Sequence, residues 1–193
     1  MRRFFFTGLA AALVFLGGGK GEAAGIDWRL RMLTPMQEVG SFTDNQTKSS
    51  SAPNTSGFGM HIVMSNGFGF GATGLYSKGT VNGNAATATS SNVDLSYTFG
   101  EAWSVTLGAG WALKGKATLT ENGTRYETEN LRGGSGFVLF GMPFLGGEVL
   151  LGFRQNSVSY LDLKYDSGSA TTTRANLLKS DTQQVMLGLG FLF

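Results

Sequence analysis

The sequence predicts an all-β protein: an eight-stranded antiparallel up-and-down β-barrel that crosses a membrane, with four long external loops and three short periplasmic turns. Three observations point there. Apolar residues recur at every second position in segment after segment, the period of a strand with one greasy face. The connections between these segments run long, short, long, short, long, short, long, as in transmembrane barrels. Only 15% of the 193 residues are charged while 30 are glycine and 12% are aromatic, against roughly a quarter charged in an ordinary soluble domain.

Ile26, Trp28, Leu30 and Met32 alternate with Asp27, Arg29 and Arg31 in a first strand. The polar stretch from about Thr34 to Ser56 then reads as a long flexible loop. Phe58, Met60, Ile62 and Met64 alternate with Gly57, Gly59 and His61, and Ser65-Asn66-Gly67 is a hairpin turn, because Asn-Gly accepts positive φ at both positions. Phe68, Phe70, Ala72 and Tyr76 form the third strand, and the Asn-, Ala- and Thr-rich run from Lys78 to Ser91 reads as a second long loop. Val93, Leu95, Tyr97 and Phe99 form the fourth, which turns at Gly100-Glu101-Ala102. Trp103, Val105, Leu107, Ala109, Trp111 and Leu113 make the fifth, with the cleanest alternation in the chain.

Lys114 to Gly133, with Asn122-Gly123 inside it, is the third long connection and reads as a hairpin projecting above the sheet. The sixth strand, Gly134 to Met142, has apolar residues on both faces: Phe137 and Leu139 oppose Val138 and Phe140, so alternation alone assigns neither pair to the outside. After the turn at Pro143 to Gly147, Val149, Leu151 and Phe153 oppose Glu148, Gly152 and Arg154 in a seventh strand that continues toward Leu163. Tyr165 to Asp181 is the fourth long loop. In the last strand Val185, Leu187, Leu189, Phe191 and Phe193 form one unbroken apolar face.

A soluble eight-stranded barrel or a sandwich also alternates, but its outside is rich in charge. Here the less apolar strand faces are mostly Gly, Ser, Thr and Asn, too few charges to clothe a soluble exterior. The length suits one domain. The start argues for export: Arg2 and Arg3 precede the apolar run Phe4 to Leu16, and Gly21-Glu22-Ala23-Ala24 supplies small residues, so residues 1–24 read as a signal peptide and 25–193 as the barrel. The run is shorter than the ~20 residues a spanning helix needs, which makes an uncleaved anchor the weaker reading. Arg2, Arg3, Lys20 and Glu22 carry the whole formal charge of +2. The neutral remainder has no basic cluster and hence no footprint for nucleic acid. The absence of cysteine excludes disulfides, thiol chemistry and a zinc–thiolate site.

If the apolar faces meet lipid, Asp27, Arg29, Arg31, Asp94, Glu148 and Arg154 line the interior, where charges must pair or stay hydrated. The expectation is a lumen ion-pair network, with Gly59, Gly69, Gly108 and Gly110 leaving room for arginine side chains; a polar conduction path is the alternative. Eight strands enclose a space that side chains just fill, which argues against a wide pore. Trp28, Phe99, Trp103 and Phe193 are placed near one membrane interface and Tyr76 and Trp111 near the other, as aromatic girdles. His61, the one histidine, is expected to point inward without a serine or glutamate beside it, so no catalytic residue is assigned. No metal site and no cofactor are expected.

With its signal peptide, eight alternating strands, alternating loop lengths and terminal Phe193, the chain resembles the small bacterial outer-membrane barrels of the OmpA transmembrane-domain, OmpX and OmpW kind. The resemblance implies residence in the outer membrane of a Gram-negative bacterium, contact with outer-membrane lipid and lipopolysaccharide, and handling by the barrel-assembly machinery. It implies that Gly188, Phe191 and Phe193 carry the assembly signal of the last strand. Met186 departs from the polar residue often found there. The expected role is non-enzymatic: structural or surface interaction through the external loops, with an extracellular ligand of unknown kind. A narrow channel for small or apolar solutes is the alternative, and a lipid A-modifying enzyme a more distant one.

Overall fold

The computed structural model describes residues 28–44, 54–100, 103–166, 171–174 and 178–193. The expected signal peptide and Asp27 lie outside the described residues. Eleven strands follow in chain order: β1 (Trp28–Asp44), β2 (Asn54–Met64), β3 (Phe68–Val81), β4 (Asn84–Phe99), β5 (Ser104–Glu121), β6 (Thr124–Thr128), β7 (Leu131–Phe144), β8 (Gly147–Tyr160), β9 (Leu163–Asp166), β10 (Thr171–Arg174) and β11 (Leu178–Leu192). Eight of them close a ring in the order β1-β2-β3-β4-β5-β7-β8-β11, with β11 pairing back to β1. Every pairing is antiparallel. From Arg31 the pairings lead through His61, Gly71, Asp94, Gly110, Ser135, Asn156 and Thr182 and return to β1 at Gly40, the stagger that tilted strands need to close a barrel.

The apolar faces look outward. Leu107 on β5 is 52% exposed, Leu187 and Val185 on β11 are exposed too, and Arg31 and Arg154 are 0% and 1% exposed inside. The outward belt runs from Phe68 to Tyr76 on β3 and from Val105 to Leu113 on β5, each matching the ~9–11 residues that a tilted strand needs to cross hydrocarbon. A continuous apolar surface of this kind is unstable against water and stable against lipid.

Short turns join the strands at one end at Ser65–Gly67 and Leu145–Gly146, and β5 begins at Ser104 only a few residues after β4 ends at Phe99. At the other end the excursions beyond the belt are long, but they are built of strand where flexible loop was expected. β1 continues to Asp44 because a bulge between Pro35 and Gln37 shifts its phase; beyond it Phe42 and Asp44 point inward, and this shift breaks the alternation that period-two reading relies on. The run from Lys78 to Ser91 is the top of β3, a two-residue turn and the top of β4. Asn82 and Gly83 hold φ of 52° and 79°, as a type I′ hairpin requires. On the β4 side the alternation is Ala against Thr, with Ala86 and Ala88 inside, too low in contrast to stand out. Lys114 to Gly133 is the hairpin β5–β6, turning at Asn122-Gly123. β6, β9 and β10 extend the sheet from β5 as a flap above the ring.

β7 resolves its two apolar faces: Phe137 (7% exposed) and Leu139 point inward, Phe140 (53%) outward. Gly108 on β5 makes this possible, since a Cβ there would overlap the Phe137 ring. From the short-turn end upward the interior is layered. A charged group around Arg31 comes first, then Leu33, Leu139, Leu150 and Met186, then a charged group around Arg154. Above these an apolar core of Phe42, Val81, Ala88, Leu119, Val158 and Tyr160 closes the external end.

Candidate functional site

Asp94 on β4 and Arg154 on β8 face each other across the middle of the lumen. Arg154 Nη2 donates to Asp94 Oδ1 at 2.7 Å and Nη1 to Oδ2 at 3.0 Å, a bidentate fork. Thr73 donates to the same Oδ2 at 2.6 Å, and His61 Nε2 lies 3.0 Å from it. Arg154 also donates to Thr73 Oγ1 and Ser135 Oγ. The Phe137 ring packs against both Arg154 and His61, 5.3 Å from the guanidinium and 5.3 Å from the imidazole ring. Period-two alternation brings these side chains together, and Gly110 leaves the space: a Cβ there would overlap Asp94 Oδ1 and crowd Ser135 and Arg154.

The second group lies toward the short turns. Arg31 donates through Nε to Glu148 Oε1 at 2.6 Å and through Nη2 to Oε2 at 3.1 Å. Its remaining donors reach Thr98, Thr106 and Ser104. Ser104 donates to Glu148 in turn, and Arg29 Nη1 stands 3.7 Å from the same carboxylate. Gly141 and Gly190 leave room for Glu148, since a Cβ at either would overlap it or Ser104. Such burial is tolerable because each guanidinium meets a carboxylate in fork geometry and its terminal nitrogens also donate to hydroxyls.

The five described charged residues of the expected interior set therefore fall into two separate groups, with an apolar layer between them. The hydroxyl partners Thr73, Thr98, Ser104, Thr106 and Ser135 were not singled out from the sequence. Their inward phase was readable, but Ser and Thr are too common in strands to stand out. His61 sits inside, beside Asp94 and Phe137, away from the bilayer face; Thr73 is the hydroxyl sharing Asp94 with it, and it is buried too. Among the described residues no group of three or more His, Asp or Glu could hold a metal.

Trp28 stacks on Phe193 with centroids 4.5 Å apart, and the two exchange backbone hydrogen bonds that fasten β1 to β11. Phe68, Tyr97 and Phe99 form an edge-to-face chain at the same end, where Trp103 is also exposed. Tyr76 and Trp111 are exposed at the upper limit of the belt. Gly188 faces inward against the Met32 carbonyl and Phe191 faces outward.

Above the belt the structure is polar outside and apolar inside. Tyr160 donates its hydroxyl to the Thr89 carbonyl at 2.8 Å, and burial pushes its phenol well above the ordinary tyrosine range. Glu127 is bonded by Lys116 and Arg125, and the Lys116 hydrogen bond leads in holding its carboxyl below the usual value. Beside it opens a charged cleft of about 350 Å³ lined by Lys116, Glu127, Glu129, Asn130, Asp162 and Lys164.

No protein-family model matches the sequence, and no curated protein sequence matches it. Solved structures do match. Neisserial surface protein A (NspA) aligns over 90% of this chain and 100% of its own, with TM-score 0.57 and 11% identity. Ail, the attachment invasion locus protein of Yersinia pestis, covers 86% of this chain and 97% of its own at TM-score 0.47, and the outer membrane protein OprG from Pseudomonas aeruginosa 86% and 95% at 0.45, each at 11% identity. By its closed ring of eight antiparallel strands, alike along its length to that of NspA, the chain has the fold of the small eight-stranded outer-membrane β-barrels.

Proposed function

We propose that the protein is a non-enzymatic component of the outer membrane of a Gram-negative bacterium, with a structural or surface-interaction role exercised by the external end of its strands. The observation that carries this reading is the contrast between the two ends of the interior. Ion pairs and leucines fill the lumen, whereas the strands beyond the belt fold into a cap with its own apolar core, a sheet flap and a charged cleft. A filled barrel that invests so much sequence in ordered external structure presents that structure to partners. Outer-membrane lipid and lipopolysaccharide are the proposed surroundings of the belt. The barrel-assembly machinery is the proposed reader of β11 through Gly188, Phe191 and Phe193.

A narrow channel is the second reading. It draws on the Asn92 amide, Asn156 Oδ1 and Arg154 Nε, buried polar groups with no protein partner among the described residues, at and beside the Asp94–Arg154 pair. Purified protein in planar bilayers separates the two. No reproducible unitary conductance is expected; a conductance abolished by Arg154→Ala would replace the first reading with the second. A lipid-modifying enzyme would leave altered lipid A in cells carrying the protein, visible by mass spectrometry and sensitive to His61→Ala; no such change is expected.

A further inference from the structure

On its outer face β7 carries Arg132, Gly134, Gly136, Val138 and Phe140 in succession, paired on β8 with Ser159, Ser157, Gln155, Phe153 and Leu151. Below Val138 this is ordinary belt. At Gly134 and Gly136 the side chains stop, and a groove of about 440 Å³ opens between the strands, walled by Val138, Phe153, Gln155 and Ser157. A Cβ at Gly136 would find its nearest neighbour 4.0 Å away, so the groove is open toward the surroundings. It spans the height at which the belt gives way to polar residues.

The upper mouth is cationic. β5 leaves β7 after the Trp111–Gly134 pair to join β6 instead. At the parting Gly115 backs onto the Leu131 side chain, and the residues adjoining these two in the chain, Lys114 on β5 and Arg132 on β7, are both exposed. Neither has an ion pair among the described residues. Of the neighbouring acids, Asp181 accepts from Ser157 and pairs with Lys179, Glu127 pairs with Lys116 and Arg125, and Glu129 lines the Lys116–Lys164 cleft. Two like charges at one mouth favour an anion there, and Arg presents a fork suited to phosphate.

We propose that the β7–β8 groove is a binding site for one membrane lipid with an anionic phosphate headgroup, its acyl chain lying over Gly134 and Gly136 and its phosphate held by Arg132 and Lys114. The site deepens the membrane reading and rests on it, since the groove meets a lipid only if the belt faces hydrocarbon. It places the lipid in the leaflet on the side of the long connections.

The test uses the full-length protein in phosphatidylcholine vesicles containing a minor fraction of phosphatidylglycerol, with retained lipid counted by native mass spectrometry after detergent extraction. Phosphatidylglycerol is expected to be retained over phosphatidylcholine by about fivefold or more, the scale of one cation–phosphate contact at a membrane surface. Gly136→Leu, which fills the groove without changing charge, and Arg132→Gln are each expected to abolish the preference. Lys78→Gln, an equal loss of charge elsewhere above the belt, should leave it intact. Retention that survives Gly136→Leu, or that falls equally with Lys78→Gln, would show attraction of charge alone and overturn the site. Arg132 is exposed and above the belt, so its variant keeps the test decisive if Gly136→Leu does not fold. A protein that never enters the vesicles sinks the membrane reading itself; one that inserts without lipid preference sinks only the groove.

Discussion

Asp94 and Arg154, sixty residues apart in the chain, meet across the lumen through two parallel hydrogen bonds and are each only about one per cent exposed. Neither ion has water to fall back on, so the geometry makes each responsible for the other. This differs from the external pairs such as Lys179–Asp181, whose partners are both about two-fifths exposed and which contribute at most ~1 kcal/mol.

Arg154→Ala strands the Asp94 carboxylate in the barrel interior and should destabilise the protein by about 3–5 kcal/mol. Asp94→Leu combined with Arg154→Met, which removes both charges and keeps the volume, should recover most of that loss. Urea unfolding in detergent micelles or vesicles measures both. A single variant within ~1 kcal/mol of wild type would mean that the pair is hydrated and the lumen less filled than its side chains indicate.

Gly110 touches the same pair from the wall. Gly110→Val would drive its side chain into Asp94 Oδ1 and Ser135 Oγ, an overpacking expected to cost about 1–3 kcal/mol. Because both substitutions spoil one interaction, Gly110→Val and Arg154→Ala together should destabilise by less than the sum of the two alone. Additivity within ~0.5 kcal/mol in the double-mutant cycle would show that the glycine serves some other contact.

The facing of the wall was legible because Leu107 and Leu187 sit in long runs of strong contrast, where period two has one solution. Legibility failed where contrast or phase failed. The Ala/Thr top of β4 buries methyl groups no larger than those it exposes, and the bulge after Pro35 moves the inward set from odd to even positions. Asn82-Gly83 carries the same hairpin signature as Asn122-Gly123, yet its surroundings have the composition of loop. The interior charges were legible as a set and not as pairs: which carboxylate meets which arginine depends on barrel stagger, which brings β8 to β4 and β1 to Glu148, and no local pattern encodes it. Phe137 illustrates the same limit, since its inward turn is decided by Gly108 on another strand.

Trp28 and Phe193 fasten the first and last strands where the ring closes. Phe193→Ala should remove the stack but leave both backbone hydrogen bonds, lowering stability by about 0.5–1.5 kcal/mol beyond the area lost. The companion Trp28→Ala should cost no more in a Phe193→Ala background than the loss of its own contact with lipid. A larger effect of Phe193→Ala on the amount of folded barrel reaching the membrane than on its unfolding midpoint would separate a role in assembly from a role in packing.

Tyr160 tests the external core through pH. Burial raises its phenol above the ordinary value of 10.0, so in the folded protein it stays neutral where the unfolded chain would already have lost its proton. The stabilisation is therefore complete below about pH 10 and drains away as pH rises through the interval above it, at up to ~1.4 kcal/mol per pH unit. Tyr160→Phe removes the titrating group. It should cost about 1 kcal/mol at neutral pH, because the Thr89 carbonyl loses its donor, and it should flatten the alkaline decline relative to wild type. The comparison cancels the other tyrosines, which both proteins share. Parallel stability curves for the two proteins above pH 10 would mean that the phenol reaches water, and that the apolar cap over the lumen is open where the structure closes it.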